Sequence, residues 1–267
     1  MTRLRAKRTG GGVRAFLGRL GLLAVVPAAI LVVWFIADLL VDSTVFAGPV
    51  ESFGQMVGTL SSPRYQASLV VTLETVAIAF VLAVVLGGVV GFALGLAPFW
   101  FRAVGPILQG IYSIPKVTIF PLFLVFLGLG LVSRTSFAFV HGFFPMAIIV
   151  MGATANLRTT DIYLKLGASL GMSFGQLVRT ILLPAILPSF LTAARIAFGL
   201  VFLGAILAEM FASNGGLGHE LVRNMHLVRV DRILAQVVLI GIIAIIPNAL
   251  LRTLEVRLTR RLRPAGS

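Results

Sequence analysis

The sequence predicts an all-α integral membrane protein with six transmembrane helices, both termini in the cytoplasm, and a cytoplasmic helix between spans four and five. The first observation behind this fold class is composition. Of the 267 residues, 58% are hydrophobic and only 12% are charged, whereas soluble domains contain about 45–50% apolar and about 25% charged residues. The second is a series of six apolar runs, each close to the roughly 20 residues that cross a bilayer as a helix. The third is an uneven distribution of basic residues around those runs.

The six apolar runs define the predicted spans in chain order. The first run follows a basic leader, as in a signal peptide, but it is longer than the roughly 7–15 apolar residues typical of signal peptides, which indicates a retained span. In the second run, Gly87, Gly91 and Gly95 recur every four residues, a spacing that lets helix backbones approach closely in lipid. We interpret these glycines as a packing surface. The predicted spans are Leu20–Val41, Ala67–Ala97, Ile107–Leu127, Phe137–Ala155, Phe190–Phe211 and Ile233–Leu251.

The basic residues predict the orientation of these spans. An even number of spans places both termini on one side. With the termini inside, the cytoplasmic segments hold 16 basic residues, counting Arg195 near the cytoplasmic start of the fifth span, and the outer segments hold five. This asymmetry favours cytoplasmic termini. The basic residues flank apolar runs, so the net charge of +13 indicates contact with membrane headgroups rather than binding of nucleic acid. The predicted divisions are a basic tail at 1–19, a membrane domain at 20–251 with a cytoplasmic loop at about 156–189, and a basic tail at 252–267.

Catalytic and metal-binding patterns are missing from the sequence. The chain has no cysteine and only three lysines, and no lysine follows a glycine as a phosphate-binding P-loop requires. His141, His219 and His226 do not have the spacing of a metal site. The sequence therefore predicts that this chain is not an enzyme and binds no cofactor or metal of its own. If it moves a solute uphill, a gradient or another subunit supplies the energy.

Ionisable residues inside spans are costly and often line a path for solutes. Lys116 follows Tyr112 and Ser113 in the stretch YSIPKVTIFP, whose prolines predict a kinked helix. We therefore take Glu74, Tyr112, Ser113, Lys116 and Glu209 as candidate residues of a translocation path for an anionic solute. Two alternatives remain open for Lys116: pairing with Glu74 or Glu209, or reaching to the headgroups. Glu209 either faces the path or holds the outer end together.

The predicted cytoplasmic loop contains two short amphipathic helices. Ile162, Leu166 and Leu170 share one face of the first helix, and Gly171 permits the reversed backbone that ends helices. Ser173 and Gln176 then form a capping box for the second helix. An apolar stripe follows, and two prolines are expected to end that helix and to return the chain to the membrane. The stripe is Phe174, Leu177, Val178 and Ile181, and the prolines are Pro184 and Pro188.

The loop also carries a family motif. Gly171, Ile181, Leu183 and Pro184 match G-x9-I-x-L-P, the second half of the EAA loop. Two further stretches resemble other parts of the proteins that carry this loop: AEMFASNGGLG resembles the end of their fifth span, and IPKVTIFPLFLVFLGLG resembles their third span. With these motifs the chain resembles the permease subunits of binding-protein-dependent ABC importers, in the subgroup that moves sulfonates, taurine and nitrate. The resemblance covers roughly residues 68–251.

The resemblance implies a set of partners and roles. Two permease subunits, identical or different, form the pore in the lipid bilayer, and each inserts a coupling helix into one of two ATPase subunits that bind ATP and magnesium. An extracytoplasmic binding protein delivers the solute. By residue, the coupling helix corresponds to Asp161–Leu170, which includes Leu166, Gly167 and Ala168. The later motif residues Ile181, Leu183 and Pro184 are expected to hold the loop against the base of the bundle.

One position departs from the family pattern. Lys165 occupies the place of the motif's glutamate, so that an attraction to an ATPase arginine would become a repulsion. Three explanations remain open: a matching change in the ATPase, weak coupling beside a different second permease, or transfer of the acidic role to Asp161.

Two other function classes compete with the importer subunit. A stand-alone secondary transporter or channel usually shows an inverted internal repeat, and we find no convincing repeat between the halves. A membrane scaffold that transports nothing has no need of ionisable residues inside its spans. Co-purification with an ATPase discriminates the first class from the importer.

Overall fold

The computed structural model describes residues 12–41, 47–159 and 162–262. Within these ranges all regular secondary structure is helical. A 3₁₀ turn at Lys116–Ile119 and a π turn at Val178–Leu182 supplement eleven α-helices. The α-helices are α1 (Gly12–Leu40), α2 (Pro49–Ser61), α3 (Pro63–Leu96), α4 (Pro98–Ser113), α5 (Phe120–Leu127), α6 (Leu131–Thr159), α7 (Ile162–Ser169), α8 (Phe174–Leu177), α9 (Leu183–Ala212), α10 (Leu217–His226) and α11 (Val230–Leu262).

Four continuous helical stretches in the described residues are long and apolar enough to cross a membrane. They are α3, α6, the stretch Phe174–Ala212 and residues Val230–Thr259 of α11, which correspond to predicted spans two, four, five and six. Predicted span three is a pair of helices bent by 83° and counts as a fifth crossing if the pair is taken as one span. Predicted span one lies within α1 except for its last residue, Val41. The segment Pro27–Leu40 of α1 is apolar but shorter than a full span.

Helices α3, α6 and α9 form the centre of the bundle, and glycines let the first two come into backbone contact. A Cβ atom on Gly91 would lie 2.4 Å from the carbonyl oxygen of Ala147, and one on Gly95 would lie 2.6 Å from that of Met151. A Cβ on Gly88 would lie 2.7 Å from the ring of Phe190. These contacts confirm that the glycine repeat packs helices within the bundle.

Side-chain hydrogen bonds show which helix ends lie together. Thr72 near the start of α3 bonds to Glu209 near the end of α9, and Arg134 near the start of α6 bonds to Ser213 just after α9. We call this end, which carries α2 and α10, the capped end. At the opposite end, which carries α7 and which we call the loop end, Glu255 of α11 accepts hydrogen bonds from α9.

The fifth span begins earlier than the sequence predicts, and this corrects the role assigned to two prolines. Pro184 and Pro188 do not end a helix, because the chain is continuously helical from Phe174 to Ala212. The π turn explains the continuity: the N–H of Leu183 bonds to the carbonyl of Val178, five residues earlier. This wider turn immediately precedes Pro184, where an α-helical register would bring the proline ring against a carbonyl.

Candidate functional site

The first candidate site is the loop between α6 and α9, where α7 ends in a defined stop. Gly171 has a φ of 63°, and its N–H bonds to the carbonyl of Ala168 while that of Met172 bonds to the carbonyl of Gly167. This pair of bonds around a left-handed glycine is a Schellman motif. The predicted reversal of the backbone at Gly171 is therefore confirmed.

The next helix of the loop, α8, begins with the predicted capping box. The hydroxyl of Ser173 accepts a hydrogen bond from the N–H of Gln176, and the side-chain oxygen of Gln176 accepts one from the N–H of Ser173 at 2.8 Å. Each bond satisfies a backbone donor that has no partner within the helix. The chain direction is thus fixed on both sides of the bend at Gly171.

Helix α7 packs on the chain that follows it through one close approach. Gly167 is buried, and a Cβ on it would lie 2.6 Å from Cδ1 of Leu177. The opposite face is uncovered: Ile162, Leu166 and Leu170 are 64%, 46% and 59% exposed. The loop therefore presents an apolar ridge whose position is held by backbone hydrogen bonds.

The structure distributes the motif residues differently from the expectation. Ile181 and Pro184 are half-buried, whereas Leu183 is exposed and Leu182 is buried. Sequence reasoning missed Leu182, because the π turn adds a residue and shifts the buried face by one position. Lys165 and Ala168 are exposed, and Asp161 lies outside the described residues.

The second candidate site is the break between α4 and α5. The α-helix ends at Ser113, the chain extends through Ile114 and Pro115, and Lys116 begins a 3₁₀ turn. The ammonium of Lys116 donates to the carbonyl oxygen of Tyr112 at 2.9 Å and lies 4.3 Å from the centre of its ring. The break leaves that carbonyl without its helical partner, and the lysine takes the partner's place. This confirms the predicted kink.

The five candidate path residues do not form one cluster. Tyr112, Ser113 and Lys116 lie together at the break, and no ion pair joins Lys116 to either glutamate among the described residues. Glu74 is exposed on the surface of α3, whereas Glu209 is fully buried.

Glu209 holds the capped end together. Its Oε2 accepts hydrogen bonds from the hydroxyl of Thr72 at 2.8 Å and from the N–H of Gly218 at 3.0 Å. Gly216 passes so close to this carboxylate that a Cβ would lie 2.2 Å from its Cδ. The Gly-Gly pair after α9 was the available sequence signal, since only glycine permits such an approach together with the φ of 105° at Gly216. Of the two roles left open for Glu209, the contacts favour the structural one.

Comparison with known proteins decides the family. Residues 83–264 match the family model described as the inner membrane component of binding-protein-dependent transport systems. The chain belongs to this family. It is a permease subunit of an ABC importer and a multi-pass protein of the inner membrane, which confirms the assignment made from the EAA-loop residues.

Individual relatives of this permease agree with the family match. The taurine transport system permease protein of Escherichia coli K12 is 29% identical, over 87% of this chain and 86% of its own. The formylaminopyrimidine transport permease protein of Halalkalibacterium halodurans is 30% identical, over 73% of this chain and 78% of its own. Among solved structures, an inward-facing MetNI methionine ABC transporter has a TM-score of 0.60 at 22% identity, over 76% of this chain and all of the matched chain. That likeness supports the fold.

Proposed function

We propose that this permease crosses the membrane six times, with the loop end in the cytoplasm and the capped end outside. The asymmetry of basic residues supports this orientation. The helix α1, Gly12–Leu40, is long enough to be the first crossing, and the bent pair at Lys116 would be the third. The predicted tails at 1–19 and 252–267 then both lie in the cytoplasm, and the latter begins within α11.

In this proposal α7 is the coupling helix. The observation that carries it is the uncovered ridge of Ile162, Leu166 and Leu170 on a helix whose other face is fixed through Gly167. Exposed apolar side chains on a rigid, water-facing helix are typical of a surface that binds a partner. A separate ATPase subunit, present in two copies and holding the ATP and magnesium, would receive this ridge. Its two nucleotide states would bind the ridge differently and so shift the permease between inward-open and outward-open forms.

The translocation path would form between this chain and a second permease subunit, either a copy or a different chain. Lys116 supports a small anionic solute, because its ammonium gives one hydrogen bond to the carbonyl oxygen of Tyr112 and has two further N–H donors for an anion. The taurine relative agrees with a solute that carries an anionic group, because taurine has a sulfonate beside its ammonium, whereas the formylaminopyrimidine relative does not. An extracytoplasmic binding protein would deliver the solute to the capped end. A binding protein that retains taurine but not formylaminopyrimidine would support the anion.

A glycine substitution tests the coupling role. A Cβ added to Gly171 would have no neighbour within 4 Å, so we expect the cost of Gly171→Val to come chiefly from the left-handed backbone, at about 1–2 kcal/mol. We expect normal membrane insertion, with transport reduced at least tenfold per ATP hydrolysed. The matched control is Gly175→Val, four residues later, which also meets open space but has an ordinary helical backbone. Normal transport by the Gly171 variant, or an equal loss in the control, would refute the assignment.

The rival function is a carrier that works without an ATPase. The two functions are distinguished by purifying the detergent-solubilised permease from cells that also express the ATPase proposed as its partner. An ATPase with Walker motifs in the eluate supports the importer, and substitution of Leu166 by aspartate should release it. Solute uptake by the chain alone in vesicles without ATP would support the carrier instead.

A further inference from the structure

A polar cavity lies at the capped end, between α2, α3, α10 and α11. Its volume is about 400 Å³, enough for a small organic anion with several waters. It belongs to a different part of the fold from the break at Lys116, which is formed by α4, α5 and the turn between them. Its polar lining residues include Arg64, Tyr65, Glu220, Arg223, Arg232 and Gln236.

The charges around this cavity are unbalanced. Glu220 is 6% exposed, and its two carboxylate oxygens accept bonds from Arg64 at 2.7 Å and from Arg223 at 3.0 Å. Each of these arginines uses one nitrogen in this way, which leaves further N–H donors of each guanidinium for another acceptor. Arg232 is a third cation on the cavity wall. Three arginines against one glutamate leave two positive charges in excess among the lining residues.

Two further features show a built wall rather than a chance gap. The buried side chains of Asn224 and Gln236 are joined by a hydrogen bond of 2.9 Å, which fixes the orientation of both amides. Tyr65 lines the cavity and is 3% exposed, and its hydroxyl has no hydrogen-bond partner among the described residues. A buried hydroxyl without a partner is unfavourable, and an occupant that came within hydrogen-bond distance of it would relieve that cost.

We propose that this cavity binds an oxyanion, as the sulfonate, carboxylate or phosphate group of a small solute or of a lipid headgroup. Planar guanidinium groups bind such groups through paired N–H donors. The fixed Glu220 holds two of the arginines at one wall, and their remaining donors are left for an occupant of the shared space. The inference rests on the proposed function only for the side of the membrane that the cavity faces.

The test is anion binding by the purified full-length chain in a neutral detergent. Methanesulfonate is titrated against sodium chloride of equal ionic strength, and the thermal unfolding midpoint is followed. We expect a saturable rise in the midpoint with methanesulfonate. Arg232→Gln should weaken the apparent affinity about tenfold, the size of one lost charged hydrogen bond. The matched control is Arg229→Gln, an exposed arginine three residues away that does not line the cavity, and it should leave the affinity unchanged.

A second variant separates binding from folding. Tyr65→Phe removes a hydroxyl that has no partner among the described residues, so it should not lower the midpoint of the anion-free protein, yet it should weaken methanesulfonate binding severalfold. No saturable shift in the wild type, or equal losses from the Arg232 and Arg229 variants, would overturn the proposal. Because this measurement needs no ATPase, it can fail while the coupling role of α7 stands, and the reverse also holds.

The two sources of the oxyanion are distinguished in nanodiscs. Phosphatidylcholine pairs its phosphate with a choline cation, whereas phosphatidylglycerol does not. If a lipid headgroup occupies the cavity, replacing part of the phosphatidylcholine by phosphatidylglycerol should weaken methanesulfonate binding by a larger factor in the wild type than in the Arg232 variant. If the site serves a free solute, the replacement should change the affinity by the same factor in both proteins, because only the surface charge of the membrane differs. Either outcome supports an oxyanion site and identifies its occupant.

Discussion

The contact between α3 and α6 makes a quantitative prediction for Gly91→Ala. The added Cβ would lie 2.4 Å from the carbonyl oxygen of Ala147, where an ordinary contact begins near 3.4 Å, so the helices would have to separate by about 1 Å. Overpacking of this kind costs about 1–3 kcal/mol. A separation of that size also weakens the dispersion contacts along the rest of the interface by about a quarter to a half.

A gain in helix propensity opposes this cost. Alanine is favoured over glycine in a helix by about 1 kcal/mol, which leaves a net destabilisation of up to about 2 kcal/mol from the overpacking alone. For a chain of this size we expect the thermal unfolding midpoint in detergent to fall by up to roughly 8 °C. The matched control is Gly199→Ala in α9, where a Cβ meets nothing within 4 Å, and its midpoint should stay level or rise. A Gly91 variant as stable as that control would refute the backbone-contact argument.

Three further predictions concern individual residues. Glu209→Ala should lower the free energy of unfolding by about 2–4 kcal/mol, because the donors of Thr72 and Gly218 lose their acceptor. Glu209→Gln keeps an acceptor oxygen, so the stability and transport of this variant should stay near the wild type if the role of Glu209 is structural. Lys116→Met should reduce uptake of an anionic solute at least tenfold while Lys116→Arg retains most of it, and equal uptake by all three proteins would contradict a path-lining ammonium. Lys165→Glu should reduce the amount of ATPase recovered in a pull-down if the ATPase has changed to match the lysine. If Lys165→Glu leaves that recovery unchanged and Asp161→Asn reduces it, the acidic role belongs to Asp161.

The loop shows how far local pattern reasoning extends. The stop at Gly171 and the capping box at Ser173 were predicted correctly, because both depend on hydrogen bonds between residues a few positions apart. The expected helix end at Pro184 was wrong. Proline disfavours a regular α-helix, but a π turn upstream changes which carbonyl faces its ring. That turn inserts one residue into the register, and so Leu182 is buried where the periodic stripe pointed to Ile181.

The polar residues inside the spans also show what local sequence patterns leave undetermined. Hydropathy identified Glu74, Lys116 and Glu209 as unusual, since a charge in lipid is costly wherever it lies. Their surroundings depended on helices far apart in the sequence. The partners of Glu209 are Thr72, which is 137 positions away, and Gly218, beyond a turn whose glycines fit around the carboxylate.

The sequence by itself determined that the protein lies in a lipid bilayer, that it is helical, where its four long spans lie and which family it belongs to. These follow from composition, from runs of apolar residues and from a motif, all of which are properties of the chain read in order. Only the tertiary structure decided that α3 and α6 touch through backbone, that Lys116 caps its own broken helix, and that arginines from α3, α10 and α11 surround one cavity. Such arrangements depend on which helix faces meet. Close packing fixes this between segments that lie far apart in the chain, and local sequence patterns do not show that these segments are neighbours in space.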